Sequence, residues 1–384
     1  MRNVVVLGST GSIGQQALEV IAANPDRFRI AGLSAGGSQL PLLARQVAET
    51  GAPIVGVASG LADLSILAGS GAKVVAGDQA NQELASLPGA DIVLNAITGA
   101  AGLLATLAAL HAGKRLALAN KESLVIGGSL VTKAAANGQI TAVDSEHSAI
   151  AQAMRAGRAD EVRKVILTAS GGPFRGMTRQ QLADVTPQQA MHHPTWQMGR
   201  VITINSATLV NKGLELLEAA LLYGVDLDAI EVVVHPQSVV HSGVEFCDGA
   251  LILQASPPDM KLPIGLALSW PDRLPDVATP CDWTQAARWS FEPLDEVAFP
   301  AVGLARRAGW AGGTAPAVFN AANEVAVDAF CAGRIGFLGI TDTIEDVLSR
   351  HLVEGHIASS DMTLDAVLGA DAWARAAAVG LTGA

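Results

Sequence analysis

Short apolar runs alternate with helix-like stretches through the first 150 residues, and this alternation restricts the fold more than any other feature. The apolar runs lie at residues 4–7, 29–35, 54–57, 74–75, 92–97, 116–119 and 140–143, and stretches such as 12–23, 40–49, 103–111 and 129–136 have helical periodicity. Near-continuous apolar strands joined by helices are typical of a parallel sheet covered on both faces. We therefore expect an α/β fold with an N-terminal doubly wound, Rossmann-type domain.

The pattern changes after residue 150. An apolar run at 165–169 precedes a helical pattern at 211–223 and three further runs at 231–234, 239–246 and 251–255, whose spacing favours an antiparallel sheet. The proline-rich stretch 257–300 is typical of irregular connecting chain, and helical patterns return at 302–308, 317–331, 343–351 and 364–378. The sequence thus predicts a central α+β domain and a C-terminal α-helical domain.

Composition excludes several classes of protein. Half of the 384 residues are hydrophobic and 16% are charged, which excludes intrinsic disorder, and no apolar run reaches the roughly 18 residues of a membrane span. The three cysteines lack CxxC spacing, which argues against a disulfide framework and a zinc knuckle. A net charge of −11 argues against nucleic acid or an anionic membrane as the main partner. We expect a soluble, cytoplasmic protein.

A glycine-rich segment, Gly8-Ser9-Thr10-Gly11-Ser12-Ile13-Gly14, directly follows the first predicted strand and opens the first predicted helix. Glycines allow the tight turn and the close approach of backbone to a pyrophosphate at a helix N-terminus. The segment predicts a dinucleotide site, although such a triplet is also found in plain turns. The second strand ends in Ser34-Ala35-Gly36-Gly37-Ser38 without an acid to hold a ribose 2′-hydroxyl, which favours NADP over NAD.

Two groups of polar residues could hold a divalent cation. Asp144 and Glu146 follow the strand at 140–143, and at strand spacing both carboxylates would point the same way. On the helix at 211–223, Asn211, Glu215 and Glu218 form one stripe flanked by Lys212. Hard oxygen ligands of this kind suit Mg²⁺ or Mn²⁺. Alternatively, Asp144 caps a helix and the 211–218 stripe is a solvated helix face.

Three loop segments are further candidates. Lys121 follows a predicted strand at the same edge of the sheet, where it either contacts a ligand or is a solvated loop lysine. Ser170-Gly171-Gly172 either binds a phosphate or forms an ordinary turn. The segment 192–199 places Trp196 in a chain with only 4% aromatic residues, as part of an active-site lid or as an anchor into the core. His235 and His241 have no acid at a ligand spacing, and we interpret them as structural.

Taken together, these motifs resemble the 1-deoxy-D-xylulose 5-phosphate reductoisomerase family over nearly the whole chain. The matching segments, in the family's order, are GSTGSIG at 8–14, ANKES at 119–123, DSEHSAI at 144–150, SGGPF at 170–174, HPTWQMG at 193–199, NSATLVNKGLELLEA at 205–219, HPQSVVHSGVEF at 235–246 and PPDMKLPI at 257–264. One segment would be weak evidence, whereas eight in order are specific.

The resemblance implies a homodimeric oxidoreductase that rearranges and reduces a phosphorylated sugar with NADPH and Mg²⁺ or Mn²⁺, in isoprene precursor biosynthesis. It implies an NADPH-binding domain at 1–150, a catalytic and dimerisation domain at 151–285 with a lid near 187–200, a linker at 286–312 and a helical domain at 313–384. It also implies metal ligands Asp144, Glu146 and Glu215, and catalytic residues Lys121, Glu146, His193 and Glu215.

By the same resemblance, the substrate would contact Lys121, Ser145, Glu146, Ser170, His193, Trp196, Ser206, Asn211, Lys212 and Glu215. Cofactor contacts would be Gly8, Thr10, Gly11, Ser12, Ile13, Gly36, Ser38, Asn120, Glu122 and Gly199. The chain departs from the family pattern after the second strand, where Gly37 and Ser38 stand in place of a basic residue and an asparagine.

Two rival interpretations remain at this point. A semialdehyde or polyol-phosphate dehydrogenase on the same plan would use a catalytic cysteine or a simple acid–base pair instead of three carboxylates around a metal. A nucleotide-sensing module would keep the dinucleotide fold without the chemistry, but the acids and lysines argue against it.

Overall fold

The computed structural model describes residues 1–60, 62–196 and 198–383, so Gln197 of the 192–199 segment lies outside the described residues. The chain divides into two compact units. The first comprises Met1–Ser123, Lys133–Ser148 and Asp259–Ala278, and the second comprises Leu124–Thr132, Ala149–Pro258 and Thr279–Ala384. In the described ranges, no helix combines the length and the apolar character that a membrane crossing requires.

Strands and helices follow the predicted alternation closely. The strands are β1 (Arg2–Leu7), β2 (Phe28–Ala35), β3 (Ile54–Val57), β4 (Lys73–Ala76), β5 (Ile92–Asn95), β6 (Arg115–Leu118), β7 (Ile140–Ala142), β8 (Val162–Ala169), β9 (Ile230–Val234), β10 (Val240–Phe246), β11 (Leu251–Ala255) and β12 (Glu292–Pro293). The helices are α1 (Ser12–Ala22), α2 (Leu40–Thr50), α3 (Ala80–Ala85), α4 (Leu103–His111), α5 (Lys121–Gly127), α6 (Ser129–Ala134), α7 (Ser145–Ala153), α8 (Arg179–Leu182), α9 (Pro187–Ala190), α10 (Arg200–Ala207), α11 (Val210–Tyr223), α12 (Lys261–Ser269), α13 (Ala301–Ala311), α14 (Ala315–Cys331), α15 (Leu338–Glu354) and α16 (Leu364–Thr382).

A parallel seven-stranded sheet in the order β4-β3-β2-β1-β5-β6-β7 forms the centre of the first unit. Val4, Val6 and Leu94 are fully buried in its core. The strand order reverses between β1 and β5, and open α/β sheets bind ligands at the carboxyl ends of the strands at such a switch point. The predicted doubly wound fold is confirmed, and the glycine-rich turn after β1 lies at that position.

The proline-rich stretch is more ordered than predicted. It contains α12, which contacts α1, and Ile264 and Leu268 belong to the core of the first unit. Pro263 lies in the first turn of α12, where a missing backbone N–H breaks no helical hydrogen bond. The prediction of irregular chain over the whole of 257–300 was therefore wrong, because proline at a helix start resembles proline in a loop.

The second unit contains a five-stranded mixed sheet in the order β11-β10-β8-β9-β12. Strand β10 is antiparallel to β8 and β11, whereas β8 and β9 are parallel. The predicted antiparallel pairing of the three runs 231–234, 239–246 and 251–255 is thus confirmed for β10 with β11 but wrong for β9, which pairs in parallel with β8. The chain between β8 and β9 carries α8 to α11, and a connection of that length allows a parallel crossover. Helices α13 to α16 follow, with Phe319 and Phe330 in the core.

Candidate active site

The turn after β1 is built from glycines that accept no side chain. Gly8 has a φ of +77°, and a Cβ there would lie 2.6 Å from the carbonyl oxygen of Ala96. A Cβ on Gly14 would lie 2.3 Å from the carbonyl oxygen of Gly8. Gly11 is the N-cap of α1 and has no side chain to cap the first amides of this helix, and Gly11 and Ser12 are exposed. The turn therefore fits the pyrophosphate of a dinucleotide.

Further predicted cofactor contacts of the first unit lie after β2 and after β6. Gly36 and Ser38 are exposed after β2, while Gly37 has a φ of +104° and a Cβ there would lie 3.0 Å from the Ser59 Cβ. At the end of β6, the buried Asn120 Nδ2 donates to the carbonyl oxygens of Ile97 and Gly99 and to the Glu122 carboxylate. The Asn120 amide thereby fixes the loop after β5, and Gly199, the last predicted cofactor contact, caps α10 in the second unit.

The polar residues after β6 and β7 form one group in the first unit. Lys121 is the first residue of α5, is 6% exposed, and donates from Nζ to Asp144 Oδ2 at 2.7 Å. The alternative of a solvated loop lysine is therefore wrong. Ser145 Oγ donates to Glu146 Oε2 at 2.8 Å, and a carboxylate oxygen of Asp144 lies within 4.8 Å of one of Glu146.

Asp144 and Glu146 converge for a different reason from the one predicted. Strand β7 ends at Ala142, and Ser145 and Glu146 are in the first turn of α7. Asp144 Oδ1 accepts the backbone N–H groups of Glu146 and His147 at 3.0 and 3.1 Å, so Asp144 caps this helix. The strand-spacing argument was wrong, and the capping alternative is confirmed. Capping leaves two hard oxygen donors side by side, which fits Mg²⁺ or Mn²⁺.

Sequence reasoning gave no role to His147. Its side chain is fully buried, and its Nδ1 lies 3.0 Å from Asp144 Oδ1. Because an ionised carboxylate only accepts, Nδ1 carries the proton in this contact. His147 therefore fixes the orientation of the Asp144 carboxylate, and a histidine three residues after a capping acid was the available signal.

A second polar group lies on α11 in the second unit. Asn211 Nδ2 donates to Glu215 Oε1 at 2.5 Å, and Lys212 Nζ forms a short ion pair with Glu215 Oε2. Lys212, Glu215 and Glu218 are 4%, 1% and 0% exposed. The alternative of a solvated helix face is therefore wrong. The other faces of α11 carry leucines, and a helix with this pattern is buried on all sides.

The turn into α11 is strained. Leu209 is buried and has a φ of +61°, a left-handed conformation that a branched side chain rarely adopts. Such a backbone conformation costs about 1–3 kcal/mol of folding free energy and persists only where the surrounding structure imposes it. It lies between Ser206 on α10 and the pair Asn211 and Lys212 on α11, and so connects three predicted phosphate-binding residues.

The 192–199 segment contacts the Ser170 turn within the second unit through His193. His193 Nδ1 accepts the backbone N–H groups of Thr195 and Trp196, so its proton is on Nε2, which lies 3.1 Å from Ser170 Oγ. Burial lowers the pKa of His193 below its ordinary value. Trp196 is half-buried, with its ring centroid 6.4 Å from that of His241.

The Ser170 turn also approaches α10. Gly171 and Gly172 both have positive φ, and a Cβ on Gly172 would lie 2.8 Å from the backbone oxygen of Ser206. The second unit thus brings Ser170, His193 and Ser206 into one neighbourhood. His235 is structural as predicted, because its Nδ1 and Nε2 bond to the backbone of Ser290 and Val239.

Comparison with known proteins gives a consistent result over the length of the chain. Three family models match: "1-deoxy-D-xylulose 5-phosphate reductoisomerase" at residues 4–128, its C-terminal domain at 140–223, and "DXP reductoisomerase C-terminal domain" at 255–377. The 1-deoxy-D-xylulose 5-phosphate reductoisomerase of Cutibacterium acnes is 63% identical, with 98% of this chain and 97% of that protein covered. The protein of the same name from Mycobacterium ulcerans is 59% identical, with 97% and 91% covered.

Solved structures agree with the sequence comparisons. The Zymomonas mobilis reductoisomerase in complex with NADPH is 43% identical and has a TM-score of 0.90, with 99% of each chain covered. A DOX-P reductoisomerase in complex with NADPH, fosmidomycin and magnesium is 36% identical and has a TM-score of 0.91, with 100% of this chain and 98% of that chain covered.

Proposed function

The chain belongs to the 1-deoxy-D-xylulose 5-phosphate reductoisomerase family, and from this premise we propose that it rearranges 1-deoxy-D-xylulose 5-phosphate and reduces the product with NADPH to 2-C-methyl-D-erythritol 4-phosphate. The reaction serves isoprenoid precursor biosynthesis. The observation that carries the proposal is the pair of adjacent oxygen donors, Asp144 and Glu146, at the carboxyl edge of a sheet whose first turn fits a dinucleotide.

The proposed metal ligands are Asp144, Glu146 and Glu215. A divalent cation held by them would supply Lewis acidity to the substrate carbonyl and lower the pKa of the neighbouring hydroxyl. The protein residues keep the ligands in place: Lys121, His147 and the first amides of α7 orient Asp144, and Asn211 orients Glu215.

The proposed phosphate site comprises Ser170, Ser206, Asn211 and Lys212. Their hydroxyl, amide and ammonium groups suit a dianion, and Lys212 supplies a buried positive charge in a chain whose net charge is −11. His193 and Trp196, as part of the lid, would cover the bound sugar and exclude water. Binding of the phosphate far from the reacting carbons would supply energy for that closure.

The proposed cofactor contacts are the glycine turn, Gly36, Ser38, Asn120, Glu122 and Gly199, and NADPH bound there would supply the hydride. The loop after β2 supports NADPH over NADH because it contains no acid to repel a 2′-phosphate. We also propose location in the cytoplasm and the domain division stated above, with boundaries at residues 150, 285 and 312, except that residues 259–278 belong with the first unit.

We further propose a homodimer formed through β11. Leu251, Ile252 and Leu253 are 46%, 39% and 37% exposed, and β11 is one of the two edge strands of its sheet within the described residues. An apolar edge strand invites pairing with another strand, and a twofold axis lets the same strand pair with its copy. Sedimentation of Ile252→Lys should then show a monomer, whereas an unchanged dimer would contradict this surface.

The function is tested by incubating the protein with 1-deoxy-D-xylulose 5-phosphate, Mn²⁺ and NADPH and following the loss of the reduced nicotinamide absorbance. We expect turnover that EDTA abolishes and Mn²⁺ restores. Turnover that resists EDTA would favour a simple dehydrogenase. Binding of NADPH and substrate without turnover would favour a nucleotide-sensing protein.

A further inference from the structure

Asn323, on α14 in the C-terminal helical part of the second unit, reaches a helix of the proposed site. Its side chain is fully buried, and its Nδ2 donates to Oδ1 of the buried Asn205 on α10 at 3.0 Å. The two residues are 118 positions apart in the sequence. A buried amide–amide bond therefore joins α14 to α10.

The hydrogen-bonded pair of Asn323 and Asn205 is a poor way to stabilise a core. Asn323 Oδ1 is buried and has no hydrogen-bond partner among the described residues, and both neighbouring positions on its helix face, Phe319 and Val327, are apolar and fully buried. An unsatisfied buried acceptor opposes folding, and such groups call for an explanation other than stability. The amide instead provides direction, because its bond to Asn205 has one favourable geometry, whereas apolar contacts tolerate sliding.

Helix α10 carries both ends of the site in the second unit. It begins directly after the lid segment and ends next to Ser206, the neighbour of Asn205. At its other end, Arg200 donates to Asp328 of α14 at 2.7 Å, so α14 holds α10 at two points. A rotation of α10 would move Ser206 relative to the Ser170 turn, which approaches the Ser206 backbone through Gly172.

We propose that Asn323 is a positioning residue for the phosphate end of the substrate and acts through Asn205 by fixing the rotation of α10. This inference rests on the proposed function, since it takes Ser206 as a phosphate ligand. It gives the C-terminal helices an influence on substrate recognition that is transmitted through α10.

The test compares Asn323→Ala with Asn320→Ala. Asn320 lies on the same helix, is 1% exposed, and donates to Glu324 of α14 instead of to α10. For Asn323→Ala we expect about a tenfold fall in kcat/KM for 1-deoxy-D-xylulose 5-phosphate, mainly in KM, because small misplacements of binding groups have effects of this size or larger. The kcat/KM for unphosphorylated 1-deoxy-D-xylulose and the Kd for NADPH should stay unchanged. Asn320→Ala should lower Tm but leave the ratio between the two sugars as in the wild type.

Asn205→Ala removes the same bond from α10, so the test does not depend on how Asn323→Ala folds. In the double variant the losses should not add, because the bond is removed once. Additive losses, an equal loss with both sugars, or the same change in Asn320→Ala would overturn the inference. Absence of wild-type turnover would instead overturn the proposed function.

Discussion

The two units build their polar groups in different ways. In the first, Asp144 caps α7 at the edge of a sheet, where two backbone amides hold its carboxylate, and Lys121, the first residue of α5, pairs with that carboxylate. In the second, Lys212 and Glu215 lie inside a helix that is buried on every side. An acid that caps a helix N-terminus also stabilises the fold, whereas a charge within a core opposes folding. The buried charges of α11 are therefore the stronger indication of function.

The largest expected effect is in the second unit. Glu215→Gln should abolish turnover, by at least about 100-fold, because it removes the charge of a proposed metal ligand, while NADPH binding stays nearly unchanged. Steady-state rates and fluorescence titration measure the two quantities, with Glu231→Gln, an exposed strand residue, as the control. If Glu215→Gln retained more than about a tenth of the rate, a loss below roughly 1.4 kcal/mol, the metal assignment would be wrong.

The two lysines compare the units directly. Lys212→Met should lower the free energy of unfolding by about 3–5 kcal/mol, the range for breaking a buried pair. Lys121→Met should lower it by roughly 1–3 kcal/mol, since Asp144 keeps the backbone amides of Glu146 and His147. Urea unfolding of both variants measures the difference. Equal losses would show that Asp144, without Lys121, is no better stabilised by its backbone amides than Glu215 is without Lys212.

Trp196→Ala tests the lid of the second unit. We expect KM for the phosphorylated sugar to rise about tenfold, or ~1.4 kcal/mol, with little change in Tm, because the ring is half-buried and, in the proposed function, covers the substrate. Kinetics and thermal unfolding together decide the matter. Unchanged kinetics with a large fall in Tm would favour the core-anchor alternative.

The acid sensitivity of the same lid follows from His193. Burial lowers its pKa from 6.5, so between the folded-state pKa and 6.5 the unfolded chain binds more protons. The contribution of His193 to the free energy of unfolding is therefore complete above pH 6.5 and is lost as the pH falls through that window. The wild type should lose more stability than His193→Asn between pH 7 and pH 5 in urea titrations. Parallel curves for the two proteins would contradict this.

The smallest effect is expected in the first unit. Ser38→Arg should tighten NADPH binding about threefold, or ~0.6 kcal/mol, which is within the range of an exposed ion pair. Gly37 is the poorer place for a basic residue, because its φ is +104°. Affinity for NADH serves as the control, and an equal gain for NADH would mean that the arginine does not recognise the 2′-phosphate.

The sequence predicted regular features well and irregular ones poorly. The β1–turn–α1 motif follows from apolar runs and glycines, which act locally, so its place was predictable. By contrast, the stripe at Asn211, Glu215 and Glu218 indicates one helix face but not what covers it, although Leu214, Leu216 and Leu217 were a signal of burial. The parallel pairing of β8 with β9 and the return of α12 to the first unit depend on contacts between distant residues, which a local pattern does not contain.

That return of α12 has a consequence for how the protein is made. The core around Val4 and Leu94 includes Ile264 and Leu268, which are synthesised after about half of the second unit. A nascent chain therefore cannot close its N-terminal sheet against this helix until about 270 residues have left the ribosome. Fragments that stop before residue 259 should expose the apolar surface of α1 that α12 covers, and should precipitate. Expression of the first unit alone therefore requires a fusion that includes α12.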